Sequence, residues 1–246
     1  MEGKRFFDIN KKEKEIILFC FPYAGGGASV FRAWQEKIGK DIKIIPAHYP
    51  GHEERIREKP FESMDDLVLN IYKEISELQE QPFYLFGHSL GSRVAYELAV
   101  KCEENRQENL RGIIVSAGLA PNKIEPNPIY NLPDELFFKE ISKYSRTPIE
   151  IFKNKDLWNI FSPMLRADFK IADTYCDKKN RTIDIPVLAL CGTLDPEISL
   201  KDLKEWKAYT TSKFKYTDIE GEHLFIDTNT DGVLEVIKKY IMEQKL

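Results

Sequence analysis

Short apolar runs that end at glycine or proline recur along this chain of 246 residues and constrain its fold more than any other feature. Predominantly apolar runs of a few residues are typical of strands buried on both faces of a parallel sheet. A later pattern, 214–217, alternates between apolar and polar residues and predicts a more exposed strand near the sheet edge. The buried runs are 16–21, 42–47, 83–86, 113–115 and 187–191.

Helical patterns lie between these runs. The apolar positions of 67–78, which end at Leu78, recur every three or four residues and therefore share one helix face. Ser63, with Asp66 three positions on, resembles a weak capping box ahead of that helix. Two further helix faces are lined by Val94, Leu98 and Cys102 and by Val233, Val236, Ile237 and Tyr240. This alternation predicts an α/β fold, with a mostly parallel central sheet and helices on both faces.

The alternation stops between about 121 and 182, where no buried-strand run occurs. Prolines divide this stretch into short amphipathic pieces such as 134–141, and its apolar content is too high for a linker. We therefore expect a helical lid insertion above the sheet, within a single domain that spans 1–246.

Composition excludes several classes of protein. The 36 Lys and Arg against 40 Asp and Glu give a net charge of -4, which does not suit a nucleic-acid binder with a basic stripe. The apolar fraction of 42% argues against global disorder, and no apolar run is long enough to span a membrane. The first residues lack the apolar segment of a secretory signal, so we expect a cytoplasmic protein. Nothing in the sequence requires more than a monomer.

The four cysteines are scattered along the chain, without the spacing of a metal site. We expect reduced thiols and no bound metal, as in most cytosolic proteins. A Cys20–Cys191 disulfide is conceivable only if the two strands that carry these residues are neighbours.

The pentapeptide 87–91 reads Gly-His-Ser-Leu-Gly and fits the G-x-S-x-G pattern, with a strand before it and a helix after it. In that context the glycines permit a tight turn that raises the serine hydroxyl above the carboxyl edge of the sheet. The N–H groups of the following helix then face the reacting carbonyl. Ser89 is therefore the predicted nucleophile; the alternative is a glycine-rich turn in which the serine only caps the helix.

A nucleophilic serine needs a base, and the chain has four histidines. His223 is the predicted base, because it follows the last strand and so completes the chain order serine, acid, histidine. His48 is retained as an alternative. His88 is expected to pack or hydrogen-bond beside the nucleophile, because consecutive residues in the turn point apart.

The base in turn needs an orienting carboxylate. Asp195 is predicted, because it follows the strand 187–191 at the carboxyl end of the sheet, although Asp-Pro also commonly begins a turn. Asp168 is the rival, but it belongs to the insertion. Asp218 and Asp227 lie too close to the edge strand and the final helix to be favoured.

The oxyanion of an acyl-transfer reaction needs two N–H donors. One is predicted to be the backbone N–H of Leu90, directly after the nucleophile. The other is expected from the loop after the first strand, 21–28, in which three consecutive glycines allow a ligand to approach the backbone. The Ala24 N–H is the predicted second donor.

Together these residues resemble the stand-alone type II thioesterases that accompany nonribosomal peptide and polyketide synthetases, within the α/β-hydrolase superfamily. The resemblance extends from about Ile16 to about Lys239. Leu90 stands where family members more often have methionine, and Glu222 stands where they often have a small residue, so Glu222 could alter the charge near His223. The stretches that carry the resemblance are 21–27, 49–55, 86–91, 163–169 and 221–225.

The resemblance implies an α/β-hydrolase fold and hydrolysis of acyl groups from the phosphopantetheine arm of acyl or peptidyl carrier proteins, which clears stalled synthetases. It implies no cofactor held by the chain itself. The insertion would be a lid that shapes the acyl chamber. Its aromatic side chains either line that chamber or form the core of the lid; they are Phe137, Phe138, Trp158 and Phe161.

Two other functions stay open. One is a general carboxylesterase or lipase-like serine hydrolase that uses the same triad on small oxygen esters. The other is a non-catalytic binding protein of the same fold, which usually lacks a member of the triad. Carrier proteins tend to be acidic and the net charge offers no global attraction, so docking would use local patches. Arg55 and Arg57 either belong to such a patch or are ordinary solvated residues.

Overall fold

Six parallel strands form one sheet in the computed structural model of the protein, which describes residues 5–7, 16–77, 81–143 and 149–244. The strand order is β2-β1-β3-β4-β5-β6, and all five pairings are parallel. The strands are β1 (Ile16–Phe21), β2 (Ile42–Pro46), β3 (Phe83–His88), β4 (Leu110–Ser116), β5 (Val187–Gly192) and β6 (Phe214–Ile219). The predicted parallel sheet is confirmed, and the alternating pattern does form an edge strand, β6.

Helices cover both faces of this sheet. The helices are α1 (Trp34–Ile38), α2 (Met64–Ile75), α3 (Leu90–Glu104), α4 (Asp134–Ile141), α5 (Ile149–Lys153), α6 (Lys155–Thr174), α7 (Leu200–Glu205), α8 (Phe225–Thr228) and α9 (Thr230–Glu243). Successive side chains of a strand point to opposite faces, which β1 shows clearly. Its Phe19 packs in one apolar cluster with residues of α2 and α3, while Leu18 packs in another with residues of α1 and α9.

Helix α2 begins where the sequence predicts. The Ser63 hydroxyl accepts a hydrogen bond of 3.4 Å from the Asp66 N–H, as expected of an N-cap residue. The buried face of the helix includes Leu67, Ile71 and Ile75. Leu78, which the spacing placed on the same face, lies outside the described residues.

The predicted insertion lies between β4 and β5 and contains α4, α5 and α6. The expectation that its prolines separate short pieces is wrong at Pro163, which lies inside the 20-residue helix α6. Proline removes one N–H from the helix, and the carbonyl that loses its partner belongs to the exposed Asn159, where solvent can replace the bond. Within the described ranges, no helix combines the length and the apolar character needed to cross a membrane.

The lid, as we call 121–182, has an apolar core of its own. Phe137 is fully buried in it, and Trp158 is nearly so. This lid core is distinct from the two clusters that pack against the faces of the sheet. The other buried members of the lid core are Ile129, Ile141, Met164 and Leu165.

All four cysteines are free thiols. The conceivable Cys20–Cys191 disulfide is absent because β1 and β5 are not neighbours; β3 and β4 lie between them.

Phe137→Ala is expected to loosen the lid rather than the whole domain. Removing a fully buried phenylalanine typically costs about 3–5 kcal/mol, and here the loss falls on a separate cluster. Hydrogen exchange should therefore accelerate in 129–141 and 155–165 while the strands stay protected. Phe31→Ala, at a residue equally buried against the sheet, is the matched control and should lower protection across the strands. Equal loss of hydrogen-exchange protection in the lid and the sheet after Phe137→Ala would contradict a separate lid core.

Candidate active site

A single strained residue connects β3 to α3. The strand ends at His88 and the helix begins at Leu90, so Ser89 alone makes the turn, with a φ of 53°. Positive φ costs a non-glycine residue about 1–3 kcal/mol and persists only where the surroundings enforce it. The side chain of Ser89 is left partly exposed at the carboxyl end of the sheet.

The two glycines of the motif let three backbone segments approach closely. A Cβ on Gly87 would lie 1.8 Å from the Gly91 carbonyl oxygen, and one on Gly91 would lie 2.1 Å from the Phe21 carbonyl oxygen. Both obstacles are backbone atoms, which cannot swing away as a side chain could. These positions therefore require glycine, and they place the start of α3 directly against the end of β1.

Asp195 and His223 are brought together although 28 residues separate them. Asp195 Oδ2 lies 2.9 Å from His223 Nδ1, and the Asp195 side chain is fully buried. Its other oxygen, Oδ1, accepts the N–H groups of Glu197 and Ile198 at 2.9 and 3.2 Å. Asp195 thus begins a turn, the alternative considered from its Asp-Pro sequence, and fixes the imidazole as well.

The electrostatics of His223 suit a base. Burial opposes the charged form of the imidazole, but the hydrogen bond and the negative charge of Asp195 outweigh it, and the pKa of His223 is raised. Glu197 adds to this effect, with a carboxylate oxygen 3.7 Å from Nδ1. Glu197 was not among the residues expected near His223, whereas Glu222, which was, has an exposed side chain.

His88 supports the loop that carries His223. Its Nε2 donates to the His223 carbonyl at 2.9 Å, and its Nδ1 accepts from the Ser116 hydroxyl at 2.9 Å. Burial lowers the pKa of His88 well below its ordinary value, and the nearby His223 lowers it further. His88 is therefore a neutral hydrogen-bonding neighbour, in the role expected for it.

Ser89 and His223 line the same cavity, of about 460 Å³. Their side chains form no direct hydrogen bond in the part of the chain that the structure describes. Such bonds are often loose before a substrate binds. Ala24 and Leu90 line the cavity too, and among the hydrogen bonds of the described residues none uses either backbone N–H.

The rival residues lie in other arrangements. His48 Nδ1 pairs with Glu54 at 2.8 Å and does not line the cavity. Asp168 pairs with His52 at 2.9 Å, so it is not placed beside His223. Asp227 accepts from the Tyr23 hydroxyl at 3.1 Å, and Asp218 is exposed on the edge strand.

The aromatic side chains proposed for the chamber pack within the lid instead. Phe137 and Trp158 belong to the lid core, Phe161 packs against it, and the Phe138 ring contacts the Phe152 ring. The lid aromatic residue that lines the cavity is Phe169, which sequence analysis did not single out. Its position directly after Asp168, within a stretch that carries the resemblance, was the available signal.

Arg55 is neither a docking residue nor a solvated one. It is buried, donates to the His48 carbonyl at 2.6 Å and pairs with Glu58 at 2.6 Å. Its guanidinium also lies 5.3 Å from the centre of the Phe6 ring. Both expectations for Arg55 were wrong, whereas Arg57 is exposed.

One group of side chains has the composition of a metal site. Within the described ranges, donor atoms of His48, Glu53 and Glu54 lie within 4.8 Å of one another. The two glutamates are exposed, and acidic groups are common on surfaces without an ion, so this grouping does not by itself define a metal centre.

A strained serine turn, an imidazole–carboxylate pair and a parallel sheet are together typical of the α/β-hydrolase fold. The sequence model of the thioesterase domain matches residues 16–241. The chain therefore belongs to the thioesterase family.

Three similar proteins align with most of the length of this chain. The gramicidin S biosynthesis protein GrsT of Aneurinibacillus migulanus is 31% identical, over 95% of this chain and 91% of its own length. Thioesterase PikA5 of Streptomyces venezuelae is 30% identical, over 92% of this chain and 81% of its own. The crystal structure of ClbQ, from the colibactin NRPS/PKS pathway, superposes with a TM-score of 0.85 at 27% identity, covering 94% of this chain and 98% of that one.

Gly91→Ala is expected to destabilise the folded protein by about 3 kcal/mol, at the upper end for overpacking. The reason is the 2.1 Å approach to the Phe21 carbonyl oxygen, which only a backbone shift can relieve. Gly232→Ala is the control, because the added Cβ meets only the Asn229 side chain. At most, the helix cap formed by Asn229 would be lost, which typically reduces the stability by about 1 kcal/mol. Urea denaturation measures both, and similar losses in the two variants would refute this account of the turn.

Proposed function

We propose that this protein hydrolyses acyl groups from the phosphopantetheine arms of carrier proteins and so clears stalled or mis-primed synthetases of nonribosomal peptide or polyketide synthesis. The family supports the thioester as the bond cleaved. The names of GrsT, PikA5 and ClbQ support the biosynthetic setting. The observation that carries the mechanism is the His223–Asp195 hydrogen bond at the cavity that Ser89 also lines.

In the first half of the reaction, the Ser89 hydroxyl attacks the thioester carbonyl. His223 takes the hydroxyl proton on Nε2, the ring nitrogen that Asp195 leaves unbound. Asp195 holds the tautomer and stabilises the imidazolium. The tetrahedral intermediate then collapses, the imidazolium gives its proton to the departing sulfur, the arm leaves as a thiol, and the acyl group remains as an ester on Ser89.

In the second half, His223 removes a proton from water, which attacks the acyl ester. The new tetrahedral intermediate collapses to release the carboxylic acid, and the proton returns to the Ser89 oxygen. In both halves the negative oxygen would accept hydrogen bonds from the backbone N–H groups of Leu90 and Ala24. Donors of this kind act strongly because they are already in place when the charge develops.

The substrate group would reach Ser89 through the cavity between the sheet and the lid. Its volume is within the range typical of small-molecule sites. Because the acyl group arrives on the arm of its carrier protein, the chain needs no cofactor of its own for this reaction. We place the protein in the cytoplasm, as a monomer, with acyl or peptidyl carrier domains as its partners.

Ser89→Ala is expected to abolish hydrolysis of acyl-carrier substrates while the protein stays folded, because Ala offers no nucleophile. Circular dichroism checks folding, and thiol release from acyl-phosphopantetheine carriers measures turnover. Ser76→Ala, at a serine that follows α2 and does not line the cavity, is the control. Undiminished turnover by Ser89→Ala would refute the proposal.

The same assay separates the two alternative functions. A general carboxylesterase would prefer oxygen esters over acyl carriers of matched chain length. A non-catalytic binding protein would leave Ser89 unreactive toward a fluorophosphonate probe.

The pH dependence of turnover should report the His223–Asp195 pair. The raised pKa of His223 means that kcat/KM increases with pH and reaches half its maximum above the ordinary histidine value. Asp195→Asn removes the charge that raises this pKa, so the increase should move to lower pH. The maximum should also fall by about 10⁴-fold, as when a triad carboxylate becomes an amide. Asp231→Asn, at an exposed carboxylate paired with Lys37, should change neither the pH of the increase nor the maximum of kcat/KM. An unmoved profile in Asp195→Asn would rule out this role.

A further inference from the structure

A second imidazole–carboxylate pair joins the lid to the loop after β2. His52 Nε2 is 2.9 Å from Asp168 Oδ2, and the two side chains come from residues 116 positions apart. His52 is 4% exposed and Asp168 5% exposed. The pair therefore joins the loop after β2 to the lid helix α6, out of contact with bulk water.

Both nitrogens of His52 face groups that only accept hydrogen bonds. Nε2 faces the Asp168 carboxylate, and Nδ1 lies 3.1 Å from the Pro50 carbonyl. Both bonds can form together only if both nitrogens carry protons, which makes the ring an imidazolium. Burial opposes that charge, but the Asp168 carboxylate outweighs it, with help from the Pro50 carbonyl and Glu53, and the pKa of His52 is raised.

The same carboxylate oxygen also holds the loop 21–28, which we call the glycine loop. Asp168 Oδ2 accepts the Gly25 N–H at 2.7 Å. Gly25 has a φ of 79°, and a Cβ on it would lie 2.8 Å from the Leu165 side chain of α6. The lid helix thus contacts the glycine loop at the residue that directly follows Ala24.

A second contact holds the other side of the glycine loop. The Glu53 carboxylate accepts the N–H of Ser29, the residue directly after the loop, at 3.1 Å, and a Cβ on Gly27 would lie 2.5 Å from the same carboxylate. His52 and Glu53 are consecutive residues. One short turn therefore restrains the glycine loop twice, once through Asp168 and once directly.

We propose that His52 and Asp168 are a positioning pair, which fixes the glycine loop against the lid helix and thereby places the Ala24 N–H for the oxyanion. This inference rests on the proposed function. Neither side chain lines the cavity, so neither touches the reacting atoms. The pair acts through the Gly25 peptide, and its effect is on the transition state rather than on substrate binding.

The pair also makes the oxyanion site sensitive to pH. When His52 loses a proton, one of its nitrogens presents a lone pair to an acceptor, and the bond to Asp168 or to Pro50 is lost. The titratable groups that face His52 are Asp168 from α6 and Tyr49 and Glu53 from its own loop. Turnover should therefore decline on the alkaline side as His52 deprotonates, opposite in sign to the rise that His223 produces.

The test compares Asp168→Asn and His52→Gln with the wild-type chain on a short acyl thioester of N-acetylcysteamine, which has no titratable group. Asp168→Asn should lower kcat about ten- to hundredfold, as expected for a displaced donor, with KM changed less than about twofold. Its affinity for a trifluoromethyl ketone analogue, which forms a tetrahedral adduct with the serine, should fall by the same factor as kcat. His52→Gln keeps one donor toward Asp168 but cannot titrate, so the alkaline decline should disappear.

Two control variants separate positioning from stability alone. Asp177→Asn removes another buried carboxylate near the end of the lid and should leave kcat and the pH profile unchanged. His48→Gln removes the histidine four positions before His52 and should retain the alkaline decline. Circular dichroism checks that each variant is folded. If Asp168→Asn does not fold, the presence or absence of the alkaline decline in His52→Gln tests the proposal.

An unchanged kcat in folded Asp168→Asn, or an alkaline decline that persists in His52→Gln, would overturn the inference. A wild-type serine that does not react with a fluorophosphonate would instead contradict the proposed function.

Discussion

The contact between the start of α3 and the end of β1 is the constraint on which the site depends. Gly91 lies against the Phe21 carbonyl with no room for a methyl group between them. This approach sets Ser89 and Leu90 beside the glycine loop, which continues from β1. The parallel order of the strands then brings the loops after β5 and β6, with Asp195 and His223, to the same end of the sheet.

Three histidines near this end of the sheet differ in their hydrogen-bond partners and therefore in their protonation states. His88 has one donor and one acceptor as neighbours and is neutral. His52 has two acceptors and is charged. His223 has the Asp195 carboxylate hydrogen-bonded to Nδ1 and none of the described hydrogen bonds on Nε2, so it can exchange a proton. The chemistry available to each ring follows from its hydrogen-bond partners, because the side chain itself is identical.

Much of this arrangement could be predicted from local sequence. The buried strands, the edge strand β6 and the turn at Ser89 each leave a pattern within a few neighbouring residues. The choice of Asp195 and His223 rested on chain order, and the structure does bring these two residues together.

Other features leave no local pattern. The pairing of His52 with Asp168 depends on how the lid packs, and the 116 residues between them contain no periodicity that signals it. Arg55 has the composition of a surface residue, and its burial becomes evident only when Phe6 and Glu58 are seen around it. Helix α6 continues through Pro163 because the turn that loses a hydrogen bond is exposed, which the sequence does not state.

The separate core of the lid has a consequence for how substitutions there affect the protein. Side chains such as Phe137 and Trp158 are packed among themselves, away from the sheet. Substitutions in the lid interior can therefore change the lid without disturbing the hydrogen bond that holds Asp195 and His223 together. Asp168 is the exception, because it belongs to the lid by position but its hydrogen bonds reach the glycine loop and His52.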